Sequence, residues 1–216
     1  MASILILGLG SFGITLARDL VDRGNEVAVV DASEDRVKAV QDDVDKAIIA
    51  DATQRAALEE IGVSDFDTVV VNLGDRIDAS VLTTLHLKQL GAKRVVVKGV
   101  SEDHVTVAKM VGADQVVFPE RDIALRLSYV LTNPSVLERI LLAPGYSLVE
   151  LAAPEDFAGK TLSELDLRNR FQVQVVILKR AGTDEVVFPT ADLRVGGSDV
   201  LVLMGRDEGL RSIQAL

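Results

Sequence analysis

Short, continuous apolar runs separated by longer stretches of helical spacing organise the N-terminal half of the chain. The runs are Ile4-Leu5-Ile6-Leu7, a second ending at Asp31, Ala47-Ile48-Ile49-Ala50, Thr68-Val69-Val70-Val71, Arg94-Val95-Val96-Val97 and Gln115-Val116-Val117-Phe118. Between them lie periodic segments: one after Gly13, then residues 34–41 and 54–61, a stretch through Ser80, Leu82, Leu85 and Leu87 that ends near Gly91, and 105–111, which stops at Gly112. Strands without polar alternation are buried on both faces. Strands that take turns with helices pair in parallel through right-handed crossovers. The pattern predicts an α/β unit, a six-stranded Rossmann-like doubly wound parallel sheet complete near residue 120.

Residues 123–142 keep a helical pattern, interrupted at Asn133-Pro134, where proline disfavours continuation. Ile123, Leu127, Val130, Leu131, Val136, Leu137, Ile140 and Leu141 exceed a single apolar stripe. Two roles stay open for this stretch: a helix buried on its own sheet, or one that crosses to a partner subunit. Beyond Pro144-Gly145 the grammar changes to short strands at 146–151, 174–178, 185–188 and 200–204, with one helix at 162–169. Gly182-Thr183-Asp184 and Gly196-Gly197-Ser198-Asp199 are hairpin-type turns. This is a small α+β lobe, so the expected division is 1–142 and 143–216.

The first unit opens with chemistry. Its leading strand runs into Gly8-Leu9-Gly10-Ser11-Phe12-Gly13, a helix follows, and the next strand is tipped by Asp31. In such a turn Gly8 permits the sharp bend, Gly10 lets backbone approach a pyrophosphate, and Gly13 lets helix and strand pack closely. The N–H groups at the helix start, aided by its dipole, face phosphate. An acid roughly 20 residues on accepts hydrogen bonds from a ribose diol and disfavours a 2′-phosphate. The motif therefore predicts a nucleotide or dinucleotide site and argues against NADP.

In an open parallel sheet ligands sit outside the carboxyl ends of the strands. Those ends carry Asp31-Ala32-Ser33, Asp51-Ala52-Thr53, Asn72-Leu73-Gly74, Lys98 and Glu120. Asp51 and Thr53 either flank a base or cap the next helix. Lys98 either meets phosphate oxygens or is an ordinary solvated lysine. Glu120 either holds a hard cation such as Mg2+ or is a helix-start acid favoured by the dipole.

Composition removes competing classes. The chain of 216 residues has a formal net charge of −10, which opposes nonspecific DNA or RNA binding. It has no cysteine, which excludes disulfides and thiolate chemistry and fits a cytoplasmic protein. No apolar run approaches the roughly 18 residues of a membrane span, and the start lacks a basic lead-in, so neither a span nor a signal peptide is expected. Gly159-Lys160-Thr161 resembles the end of a P-loop, but Pro154 stands where its first glycine belongs. His86 and His104 are isolated from each other and read as surface residues.

Taken together, the chain resembles the Trk/Ktr potassium-uptake regulatory subunits (KtrA- and TrkA-like), also described as RCK domains. The glycine turn with Asp31, Thr83-Thr84-Leu85, Lys98, Val111 to Asp114, Pro119-Glu120-Arg121-Asp122 and Tyr146-Ser147-Leu148-Val149-Glu150 carry the likeness, in order along the whole chain. The resemblance implies a nucleotide-binding gating ring at the inner face of the membrane, beneath a TrkH- or KtrB-like potassium transporter subunit. It implies homodimers held by a crossover helix and assembled further to a tetramer or octamer. ATP, ADP or NAD(H) would bind at Gly8, Gly10, Ser11, Phe12 and Gly13, with Asp31, Ala32 and Ser33 at the ribose. Asp51, Ala52, Thr53, Leu73 and Gly74 would lie near the base, Lys98 near phosphate, and Glu120 near a cation at the γ-phosphate. Arg168 matches a position that contacts cyclic di-AMP in some relatives; otherwise it is a helix-end arginine.

One departure stands out. Many such proteins have arginine where this chain has Ser11, and serine supplies no charge to a γ-phosphate. Arg76, after the fourth strand, is a candidate substitute. The competing class is an NAD-dependent oxidoreductase, but the second lobe has no histidine and no evident acid–base pair. An ATP hydrolase would need a Walker lysine that the chain lacks.

Overall fold

The computed structural model describes residues 1–183 and 185–216, in two compact units, Met1–Arg121 and Asp122–Leu216. In the first unit six parallel strands, β1 (Ser3–Leu7), β2 (Glu26–Asp31), β3 (Lys46–Ile49), β4 (Thr68–Val71), β5 (Val95–Lys98) and β6 (Gln115–Val117), form a sheet in the order β3-β2-β1-β4-β5-β6. Helices α1 (Ser11–Asp22), α2 (Glu34–Lys38), α3 (Arg55–Ile61), α4 (Ile77–Gln89) and α5 (Glu102–Met110) connect them. Alternate residues feed two cores. Ile4, Ile6, Val27, Val29 and Val70 pack with Ala17 and Val37, whereas Leu5, Leu7, Val30, Val69 and Val71 pack with Leu58, Leu87 and Ala108. Burial on both faces is why these strands read as unbroken apolar runs. The strand order reverses between β1 and β4, the place where an open sheet forms a ligand crevice.

Helix α6 (Pro119–Thr132) carries the chain out of this unit. The helix expected through residue 142 does not continue. Val136–Ala143 is a strand, β7, antiparallel to β8 (Tyr146–Ala152). The physical reason is the pair of breaks around it. Asn133-Pro134 ends the helix, and Gly145, at φ +78°, closes a tight turn that delivers β8 as a hydrogen-bonding partner. A short apolar run fits either conformation until a neighbouring strand decides.

The second unit's sheet has the order β10-β9-β11-β8-β7, with β9 (Val173–Lys179), β10 (Val186–Val187) and β11 (Val200–Arg206). The expected helix at 162–169 is two short ones, α7 (Leu162–Leu165) and α8 (Leu167–Phe171), broken at Asp166, which adopts a left-handed conformation with φ 45°. The final helix α9 (Asp207–Gln214), absent from the sequence expectation, buries Leu210 and Ile213 in this unit's core. The expected turn at Gly196 to Asp199 is present, closed by Asp199 N–H to Gly196 O at 3.2 Å. Of the other expected turn, Asp184 lies outside the described residues.

Candidate functional site at the strand-order reversal

A cleft of about 630 Å³ opens at the carboxyl ends of β1, β2, β4 and β5. The glycine turn forms its floor. Gly8 has φ +101°, and a Cβ there would lie 1.9 Å from the Asn72 carbonyl oxygen. A Cβ on Gly13 would lie 2.2 Å from the Gly8 carbonyl oxygen and 2.9 Å from Asn72 Nδ2. Gly8 is the bend and Gly13 the contact between helix and strand, as the spacing predicts. Gly10 differs: its nearest neighbour, Asn72 Nδ2, is 3.7 Å away. Among the described residues nothing forbids a side chain there, and Gly10 faces the cleft.

Gly10 is also the N-cap of α1, with no side-chain cap and no acid in the first turn. The first N–H groups of that helix therefore have no side-chain acceptor, and they carry the positive end of its dipole. Asp31 is buried to 8% exposure at the tip of β2. Its carboxylate accepts from Leu9 N–H at 2.7 Å and from Ser33 N–H at 2.8 Å, so it fixes the turn on one side and the start of α2 on the other. Asn72, also buried, donates from Nδ2 to the Gly8 carbonyl at 3.0 Å and ties β4 to the same turn.

The cleft brings together Gly8, Gly10, Ser11, Phe12, Asp31, Ala32, Ser33, Asp51, Ala52, Thr53, Leu73, Gly74 and Lys98 from the sequence-derived set. Gly13 and Glu120 are not in its wall, and Arg168 lies in the other unit. Asp51 does not cap α3, whose N-cap is Gln54 without a side-chain cap; its carboxylate closes the turn before that helix. Hydrogen bonds from the Thr53 N–H (3.0 Å) and hydroxyl (2.7 Å) hold its carboxyl below the usual carboxylate range, with a smaller electrostatic contribution from Arg76. The Ala52 carbonyl is pinned by the Thr83 hydroxyl of α4 at 3.2 Å.

Three cations line the cleft: Arg36, Arg76 and Lys98. Arg36 was not singled out from the sequence. It sits in the first turn of α2, which Ser33 caps, and its guanidinium lies 3.5 Å from Asp31. The signal was present as an arginine one helical turn after a cap beside the ribose acid. Asn72 had no such signal, because its contact with Gly8 exists only once β4 lies beside β1. Lys98 ends β5, and its ammonium is 2.5 Å from Glu120 Oε1. That contact is the main cause holding the Glu120 carboxyl below its ordinary value.

His104 corrects a sequence expectation. It is fully buried, with Nε2 3.0 Å from the Ser80 hydroxyl on α4, because α5 packs its N-terminal turn against that helix. Burial pushes its pKa down. His86 is half-buried rather than a surface residue. Among the described residues no three His, Cys, Asp or Glu side chains form a group that could hold a metal ion.

Residues 4–119 match the TrkA-N domain family and residues 147–216 the TrkA-C domain family. The chain belongs to this TrkA-type family. It is 37% identical to the Ktr system potassium uptake protein C of Bacillus subtilis over 93% of this chain and 90% of that one. It is 34% identical to the Ktr system potassium uptake protein A of Vibrio alginolyticus over 95% and 93%. Among solved structures, the GsuK channel superposes with a TM-score of 0.72 at 23% identity. That match covers 100% of this chain and 39% of the channel, so the chain spans about two-fifths of its length.

Proposed function

We propose that this TrkA-type chain is the nucleotide-responsive regulatory subunit of a potassium uptake system, and that its ligand occupies the cleft at the strand-order reversal. The observation that carries the ligand assignment is the pairing of an uncapped helix N-terminus with the buried Asp31 carboxylate, in a cleft that also holds three cations. An anion belongs at the first and a ribose diol near the second. The ligand is an adenine nucleotide, ATP, ADP or NAD(H). Gly10 leaves room for its phosphates, and Asp51 to Thr53 with Leu73 and Gly74 border its base. Arg76 lines the same cleft and acts electrostatically on Asp51.

Regulation requires that the ligand bind one arrangement of an assembly better than another, since equal affinity shifts nothing. The partner is a membrane-embedded potassium transporter subunit, and the assembly is a homodimer or a larger ring. Among the described residues no helix is long and apolar enough to cross a membrane. A cation such as Mg2+ would be held by Glu120 together with ligand phosphate oxygens, since Glu120 alone supplies one carboxylate. In the second unit Arg168 lines a cavity of about 380 Å³ beside Gln174, to which it donates at 2.5 Å, and this is where cyclic di-AMP would be received.

Titration calorimetry with ATP, ADP, NADH and cyclic di-AMP tests these assignments. Saturable binding of at least one adenine nucleotide, lost in Asp31→Ala, is expected. NADH absorbance should stay constant with protein present, because a regulator does not turn its ligand over. Silence towards every nucleotide, or steady NADH oxidation, would remove the proposal.

A further inference from the structure

We infer that Glu120 is an internal competitor for phosphate, occupying Lys98 until a phosphorylated ligand takes that lysine away. The inference rests on the nucleotide role of the cleft and adds a control to it. The Lys98 side chain is only 13% exposed and belongs to the cleft wall, whereas the Glu120 side chain is 60% exposed and does not. The lysine is thus fixed inside the site, and its carboxylate partner reaches it from outside. The same ammonium lies 5.9 Å from the centre of the Phe12 ring. Phe12 is the second residue of α1, in the uncapped first turn. Lys98 lines the same cleft as that first turn, so an anion received there competes with Glu120 for the ammonium.

The two anions are unequal. Both give a lysine the same kind of charge-assisted hydrogen bond. A phosphate also collects the backbone N–H groups of the α1 turn, which the Glu120 carboxylate does not use. Arg36 differs from Lys98 because its carboxylate, Asp31, is itself part of the cleft. Exchange at Lys98 returns a charged carboxylate to the second residue of α6, where the helix dipole and any bound cation act to balance it. Ligands without a phosphate in reach of Lys98 leave the ion pair intact. The pair thus makes the start of α6 sensitive to the phosphate end of the ligand.

The sign of one substitution separates this role from a simple cation ligand. In EDTA-containing buffer, Glu120→Gln should bind ADP and ATP about two- to fivefold more tightly than wild type, the range of a partly exposed ion pair. Adenosine, measured by displacement, should show no gain. Lys98→Gln should bind the phosphorylated ligands more weakly, and adding Glu120→Gln to it should change nothing further. Unchanged or weaker binding by folded Glu120→Gln would overturn the inference, as would an equal gain for adenosine or a gain that survives loss of Lys98. A folded wild-type chain that binds no nucleotide fails at an earlier step and removes the site assignment itself.

Discussion

Gly13 and Gly10 look equivalent in the motif and do different work. The first has no space for a methyl group; the second has space that the protein itself does not fill. Gly13→Ala should destabilise the first unit by about 1–3 kcal/mol, the usual range for overpacking, and weaken ligand binding with it. Gly10→Ala should leave the melting temperature of the ligand-free protein nearly unchanged and still lose affinity. Thermal denaturation alongside calorimetry separates the two, and equal melting losses would contradict the geometry. The place of Asp31 in the cleft was legible in the sequence because its distance from the glycines is set by one strand–helix–strand unit. The parts played by Asn72, Arg36 and the Lys98–Glu120 pair were not, since each depends on a neighbour brought in by sheet order or side-chain direction.

Between elements, the packing of α5 on α4 buries His104 against Ser80, and among the described residues its Nδ1 has no hydrogen-bond partner. Its folded pKa lies below the unfolded value, so the neutral form is the one the fold accepts. The unfolded chain binds the proton first as pH falls. This contribution to stability is therefore complete above about 6.5 and is lost as pH drops from there towards the folded pKa. The carboxyls held low, Asp51, Asp114 and Glu120, act in a more acidic window, as pH falls below the ordinary carboxylate range. Melting temperature should thus decline between pH 7 and 5, and His104→Gln should flatten that decline. A variant with the same slope as wild type would place the acid sensitivity elsewhere. An isolated histidine carries no sequence signal of burial, because its neighbours on α5 do not reveal which helix covers it. For β7 the difficulty was similar: the ladder with β8 outweighs a local pattern compatible with helix.

On the scale of the whole molecule, the second unit leaves a large amount of apolar surface uncovered. Helix α6 has no buried residue; Ile123, Leu125, Leu127 and Leu131 on it are exposed, and so are Leu137, Ile140, Leu141 and Leu142 on β7. Contiguous apolar surface beyond a few hundred Å² marks an association site. We propose a second copy of the chain as the occupant of this surface. Leu131→Glu, at a position 73% exposed, should keep the circular dichroism of the fold and lower the mass seen by light scattering. An unchanged mass would assign the assembly to another surface.

What the amino-acid order determined unaided has a short-range cause. Strand and helix periods, the glycine turn, the acid one supersecondary unit away and the change of grammar after Pro144-Gly145 are all local. Tertiary structure alone decided which strand ends meet. It set β1 beside β4, turned residues 136–143 into a strand, hid His104 and joined Lys98 to Glu120. Each of these is a pairing between distant segments. Its free energy comes from surface and hydrogen bonds shared by two partners, so neither segment read by itself contains it.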